Sequence, residues 1–398
     1  MKRRHFLTSA GLALLTGANS GMQPANAARP GVTLFLCGDV MTGRGIDQVL
    51  AHPSKPRLHE QYVRSALDYV SLAERASGAI ERPVTPEYIW GDALAELERV
   101  RPDARIVNLE TAVTTAEDAW SGKAVHYRMH PANVSCLAAA SIDCCVLANN
   151  HVLDWGYDGL AETLTTLRSA GIRTVGAGRD ETEAAAPATI ELSDGHRVVV
   201  FAFGTASAGV PDDWAATARR PGVNLLGDFS RQAAERITRQ VLAVKRAGDV
   251  IVVSLHWGSN WGYAVPRAQR EFAHRLIDTA GVDVVHGHSS HHPKGVEVHG
   301  DRLVLYGCGD FLNDYEGIGG HGGFRPDLAL MYFPTVDAQT GKLTRLLLTP
   351  TRIRHFRVNR ARGDEARWLE GMLNREGGGL ATSVDRLPDD TLQLKWRA

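Results

Sequence analysis

The residues best suited to chemistry lie at 282–292, VDVVHGHSSHH, where an apolar run over 282–285 ends in four histidines within seven residues: His286, His288, His291 and His292. Imidazole is the commonest metal-binding side chain. An apolar run that stops this abruptly reads as a buried strand delivering its last side chains to a rim. Two histidines at G-H-x-x-H spacing can aim into one small volume from a turn, whereas a merely solvated histidine loop is the plainer reading of this stretch taken alone.

Four other run-ends carry similar side chains. Asp39 follows FLCG, Glu110 follows IVNL, Asn149, Asn150 and His151 follow CVLA, and His256 follows VVSL. In an open α/β architecture the carboxyl ends of the strands are where connecting loops converge and ligands bind. Two carboxylates, an amide oxygen and several imidazoles suit Mn, Fe or Zn better than Ca or Mg. The five cysteines, Cys37, Cys136, Cys144, Cys145 and Cys308, are odd in number and form no C-x-x-C, so they read as small buried hydrophobes rather than as disulfides or a structural zinc site. Singly, each polar residue has a plainer role: Asp39 or Asn150 could cap a helix, Glu110 pair with an arginine, His256 sit satisfied in a core. Their shared placement at strand ends is what favours a metal centre.

The elements that must position these groups are apolar runs at 32–40, 104–111, 143–151, 173–178, 197–205, 249–258, 282–289 and 302–311. Their continuous rather than alternating pattern predicts strands covered on both faces in a layered α/β core. Between them, Thr85 and Pro86 predict a helix start ahead of Ile89, Ala93, Leu97 and Val100. Apolar stripes at Leu160/Leu164/Leu167, Ala234/Ile237/Val241/Val244 and Phe272/Leu276/Ala280 predict three more helices. Residues 51–85 and 206–230 read as surface insertions, and the glycines of 314–327 as a flexible loop near the rim. From 328 to 398 the chain turns to short alternating segments, expected as a β-rich extension packed on the core.

Length and composition set bounds. The chain has 398 residues, a formal net charge of −1, 44% hydrophobic and 22% charged residues, which are ordinary globular values and give no electrostatic case for nucleic acid. Lys2, Arg3 and Arg4, a mild apolar stretch and Ala25-Asn26-Ala27 predict an export signal over 1–27, twin-arginine-like in R-R-H-F-L, with cleavage before Ala28. The mature protein is therefore expected to be periplasmic or extracellular.

In order and separation, GDVM (38–41), NLET (108–111), ANNH (148–151), LHWG (255–258), GHSSHHP (287–293) and LYGCGDF (305–311) resemble the CapA family of capsule and poly-γ-glutamate synthesis proteins, itself similar in motif order to calcineurin-like metallophosphoesterases. The resemblance implies an α/β fold, a two-sheet sandwich flanked by helices over 32–327. By motif matching it implies one or two divalent ions (Mn, Fe or Zn) on Asp39, Glu110, Asn150, His256, His288 and His291. His151 would protonate a leaving group or stabilise the transition state, and Asp154 would orient it, the structural alternative being that N-N-H-V-L-D merely opens the helix near Asp158; Trp155, Trp257, Trp261 and Tyr263 would wall a substrate cleft, with Trp257 and Trp261 equally readable as core aromatics. One position departs from the phosphoesterase pattern, which has a histidine two residues after the first aspartate, where this chain has Met41. A thioether is a poor ligand for a hard divalent ion, so one of two ion positions is expected to be weak unless His286 or His292 substitutes. The function implied is metal-dependent hydrolysis or transfer on a surface polymer or its precursor. Its rival is a non-catalytic assembly factor that binds polymer or a membrane-bound synthase complex.

Overall fold

The longest apolar runs become strands with no exposed face. Val32–Val40, Asp249–His256 and Val284–His288 are buried at every position. A computed structural model describes residues 31–397, so the expected export segment lies outside the described residues. The fold is mixed α/β, built on two large sheets.

In the first sheet Val32–Val40, Ala104–Leu109, Cys144–Val146 and Arg173–Val175 run parallel. In the second, Arg197–Thr205, Asp249–His256, Val284–His288 and Arg302–Leu305 do the same. The period-2 alternation of a strand then decides what each face does. In the second sheet Val198, Val200, Val250, Val252, Val284, Leu303 and Leu305 join one cluster with Leu34, Leu36, Ile106 and Val146 of the first. The alternate residues, Val199, Phe201, Phe203, Ile251, Val253, Val285 and Val304, pack instead under helices Arg231–Val244 and Arg267–Ala280 through Ile237, Val241, Phe272 and Leu276. Continuing the inward stripe along two of these strands turns it polar: Val250 and Val252 lead to Ser254 and His256, and Val284 leads to His286 and His288.

Three expectations need correction. The strands of 328–398 belong to the first sheet rather than packing on it: Leu328–Val336 pairs antiparallel with Val32–Val40, and Leu343–Arg354 pairs with Leu328–Val336 in turn, so these two lie inside the sheet, with Thr382–Arg386 at its edge. The helix expected after Thr85 begins later, at Asp92, because Gly91 takes φ 46° and separates it from a short 3-10 turn, Tyr88–Trp90. The insertion at 51–85 contains a helix, Ala66–Ser77, capped by the Ser65 hydroxyl and burying Tyr69, Val70 and Ala73. Among the described residues no helix is long and apolar enough to cross a membrane.

Candidate metal centre

The parallel strands end at one place. Asp39 is the penultimate residue of Val32–Val40, Glu110 follows Ala104–Leu109, and His256 and His288 terminate adjacent strands as register partners. A short strand, Asp310–Leu312, lies parallel to Val32–Val40 and sets Asp310 opposite Asp39. Gly38 permits this approach: a Cβ there would stand 1.6 Å from the Gly309 carbonyl oxygen. The Asp39 amide donates to that oxygen at 3.0 Å.

Two groups of ligand-type atoms result, each within 4.8 Å of one another: Asp39, His256 and His288, and Asp39, His291 and Asp310. His256 Nδ1 is 2.8 Å from His288 Nδ1, and His288 Nδ1 is 3.9 Å from Asp39 Oδ1. Glu110 and Asn150 flank the first group, with Asn150 Oδ1 at 3.1 Å and Glu110 Oε1 at 4.0 Å from His256 Nε2. His291 Nδ1 donates to Asp310 Oδ1 at 2.9 Å, while the Asn313 amide donates to the other Asp310 oxygen at 2.8 Å. The Asn108 amide donates to Asp39 at 2.7 Å and to Glu110 at 3.3 Å, and is itself held by Asn149.

A hydrogen-bond relay assigns the protons behind His288. His286 Nε2 must donate to the Cys37 carbonyl, 2.8 Å away across the two sheets, so its Nδ1 accepts from Ser254 Oγ at 3.1 Å. That hydroxyl then accepts from His288 Nε2 at 2.8 Å, which leaves His288 Nδ1 as a bare lone pair facing His256 and Asp39. His292 is occupied otherwise: Nε2 accepts from the Gly262 amide and Nδ1 donates to the Pro293 carbonyl. Neither His286 nor His292 therefore substitutes at the centre.

Burial sets the electrostatics. Asp39 is pushed up to about 7 by its removal from water and by the Asp310 carboxylate. Burial, with Asp39 and Asp310 nearby, also raises Glu110 well above the usual range. Burial lowers His256 and His288, keeping both imidazoles neutral. Burial would lower His291 too, but the Asp310 carboxylate outweighs it and raises the group. Crowded buried carboxylates beside unprotonated imidazoles form a donor set that a divalent cation would neutralise, so the residues fit a metal.

Beside this cluster His151 Nδ1 donates to Asp154 Oδ2 at 2.6 Å, and His151 Nε2 is 3.7 Å from Glu110 Oε1. Asp154 also accepts from the Tyr127 amide at 2.7 Å and pairs with Lys123 at 2.5 Å. Burial would raise Asp154, but His151 and Lys123 hold it below the ordinary carboxylate range. His151 is lowered to about 4, chiefly by burial, against the pull of Asp154.

The expected aromatic wall is mostly absent. Trp155 and Trp257 are buried, their indole N–H groups donating to the carbonyls of Tyr127 and Tyr306, and neither lines a cleft at the centre. Tyr263 packs against His292 and Phe324. Trp261 does border a cavity of about 590 Å³, with Arg44, His291, Asn313, Tyr315 and His321, and its ring stacks on His321 at 3.8 Å. Three residues of the site escaped sequence reasoning. Asp310 was visible only as part of LYGCGDF, Asn108 only as part of NLET, and Lys123 lies in a loop with no signal.

Over residues 33–315 the chain matches the family described as bacterial capsule synthesis protein PGA_cap. A probable polyglutamine synthesis accessory protein of Mycobacterium tuberculosis is 47% identical over 364 residues, covering 91% of this chain and 96% of that protein. The PGA biosynthesis protein CapA of Bacillus subtilis is 25% identical over 280 residues, covering 70% of this chain and 62% of that one. Among solved structures, one titled GAP50, the anchor in the inner membrane complex of Plasmodium, aligns with a TM-score of 0.33 at 9% identity over 85% of this chain and 91% of its own, too slight a likeness to carry an argument. By the span of the family match and the identity to the mycobacterial relative, this chain belongs to the PGA_cap capsule synthesis family.

Proposed function

We propose that this protein is exported and acts, outside the cytoplasm, on a capsule or poly-γ-glutamate type polymer or its precursor, as a metal-dependent hydrolase or transferase. The family and the names of its relatives supply the polymer. The chemistry rests on one observation: Asp39, His256 and His288 converge beside the His151–Asp154–Lys123 array. A divalent cation held by Asp39, His256 and His288, flanked by Glu110 and Asn150, would supply Lewis-acid polarisation of a substrate oxygen.

The chain's own residues do the rest. Lys123 and the Tyr127 amide keep Asp154 ionised, and Asp154 holds the His151 proton on Nδ1. His151 Nε2 is thereby an acceptor near neutral pH, placed to take a proton from an attacking hydroxyl or water and then return it to the leaving group. The role expected from sequence, protonating the leaving group or stabilising the transition state, is here preceded by a step in which His151 takes a proton. The His151→Asn variant, with folding checked by circular dichroism, is expected to lose about 100-fold or more in polymer turnover.

The rival reading, a non-catalytic factor that binds polymer or a membrane-bound synthase, is favoured by Met41, which stands where the phosphoesterase pattern has an imidazole. It predicts unchanged polymer production in His151→Asn. Elemental analysis of protein purified without chelator bears on the centre itself: bound Mn, Fe or Zn should fall in His256→Ala, and metal-free wild type that takes up none of the three sinks the hydrolase reading.

A further inference from the structure

We propose that Asp310 is a metal ligand and that, with Asp39 and His291, it closes a second ion position facing the cavity, which holds a harder, exchangeable cation such as Mn²⁺ or Mg²⁺. This rests on the reading of the strand-end cluster as a metal centre and deepens it by giving the number of ions and their unequal character.

The first support is positional. Asp310 is the register partner of Asp39, and both side chains are excluded from solvent. Among the described residues neither forms an ion pair with lysine or arginine; the basic side chains nearest them are the imidazoles of His288, which is neutral, and His291. Two carboxylates forced together away from water require a proton or a cation between them.

The second support is Met41. Its sulfur takes the Tyr315 hydroxyl at 3.8 Å, and its amide donates to the Leu312 carbonyl at 2.8 Å. The position that cannot supply an imidazole thus anchors the strand that delivers Asp310. That strand brings an oxygen ligand, Asp310, beside Asp39.

The third is the contrast between the two groups. Asp39, His256 and His288 form a buried set dominated by nitrogen, suited to Zn²⁺ or Fe²⁺. Asp39, Asp310 and His291 offer two carboxylates and one imidazole, a set that favours harder cations. His291 and Asn313, which donates to Asp310, both line the cavity, so this position has an entry path from it. A cation there replaces the proton between His291 Nδ1 and Asp310. Asn260, 3.0 Å from His291 Nε2, can turn its amide to accept the proton that then resides on that nitrogen.

The test loads full-length mature protein with Zn²⁺ and then titrates Mn²⁺, counting ions by elemental analysis and following Mn²⁺ by electron paramagnetic resonance. Wild type should keep one Zn²⁺ through brief chelator treatment and bind one Mn²⁺ reversibly. Asp310→Asn should keep the Zn²⁺ but bind Mn²⁺ about 100-fold or more weakly. His291→Gln removes the same position from the cavity side and decides the matter should Asp310→Asn fail to fold. The proposal is overturned by wild type that holds one ion lost in His256→Ala, which leaves the centre intact but single, or by both variants keeping two ions at unchanged affinity. Wild type that takes up neither Zn²⁺ nor Mn²⁺ removes the metal-centre reading and this inference with it.

Discussion

At the scale of single residues, the relay from the Cys37 carbonyl through His286 and Ser254 to His288 carries the firmest expectation. Removing the hydroxyl in Ser254→Ala frees His288 to adopt the other tautomer, and metal affinity should fall by about 10–100-fold with the fold unchanged. Competition against a chromophoric chelator measures this, and unaltered affinity would show that the relay orients nothing. His286 also contributes to the response to acid. Burial lowers it from 6.5 to about 4, opposed by its bond to Cys37, so the folded state keeps it neutral while the unfolded chain binds a proton below 6.5. Its contribution is complete above that value and is lost as pH falls through about 4, by up to ~3 kcal/mol. Thermal unfolding at pH 7 and pH 4.5 should therefore show a smaller acid loss in His286→Gln than in wild type. Asp39, His256 and His288 were legible in the sequence because each closes an apolar run. Asp310 was not, since no spacing rule says that a three-residue strand after Gly-Cys-Gly will run back beside the first strand. Trp155 and Trp257 are buried, as an aromatic next to a motif is more often part of the packing beneath it, the reading already open for Trp257.

At the scale of elements, the meeting of Val32–Val40 with residues 308–310 depends on absent side chains. A methyl at Gly38 would collide with backbone, which cannot yield as a flexible side chain can, and Gly309 sits at φ 79°. Gly38→Ala should cost about 3 kcal/mol or more and displace Asp310 from Asp39, read as a lower melting temperature together with weakened metal uptake. Most parallel strands and the helices Gly156–Ser169, Arg231–Val244 and Arg267–Ala280 follow from apolar pattern alone. The exceptions are physical. Ala66–Ser77 buries a short stripe of Ala66, Tyr69, Val70 and Ala73 inside a stretch whose prolines and mixed charge read as loop, and the helix before Ala104 starts late because Gly91 breaks its first turn.

At the scale of the whole molecule, the alternating segments beyond 328 gave no sign of their partner. Strand pairing over such a distance leaves no local trace, so the sequence marked a boundary where the structure has a continuous sheet. A chain ending at 327 would strip Val32–Val40 of its antiparallel neighbour and expose a long apolar edge. Such a truncation should be insoluble or aggregate, as checked by gel filtration of the expressed fragment. A soluble fragment of native secondary structure would mean that the last strands are dispensable. The pairing of Asp39 with Asp310 has a further consequence, in time rather than in space. Its two halves stand 271 residues apart, so no nascent piece owns both until the chain past residue 310 has left the ribosome. The second ion can be captured only after the chain has been made beyond Asp310 and its two halves joined, and the compartment in which that joining happens determines which cations are on offer.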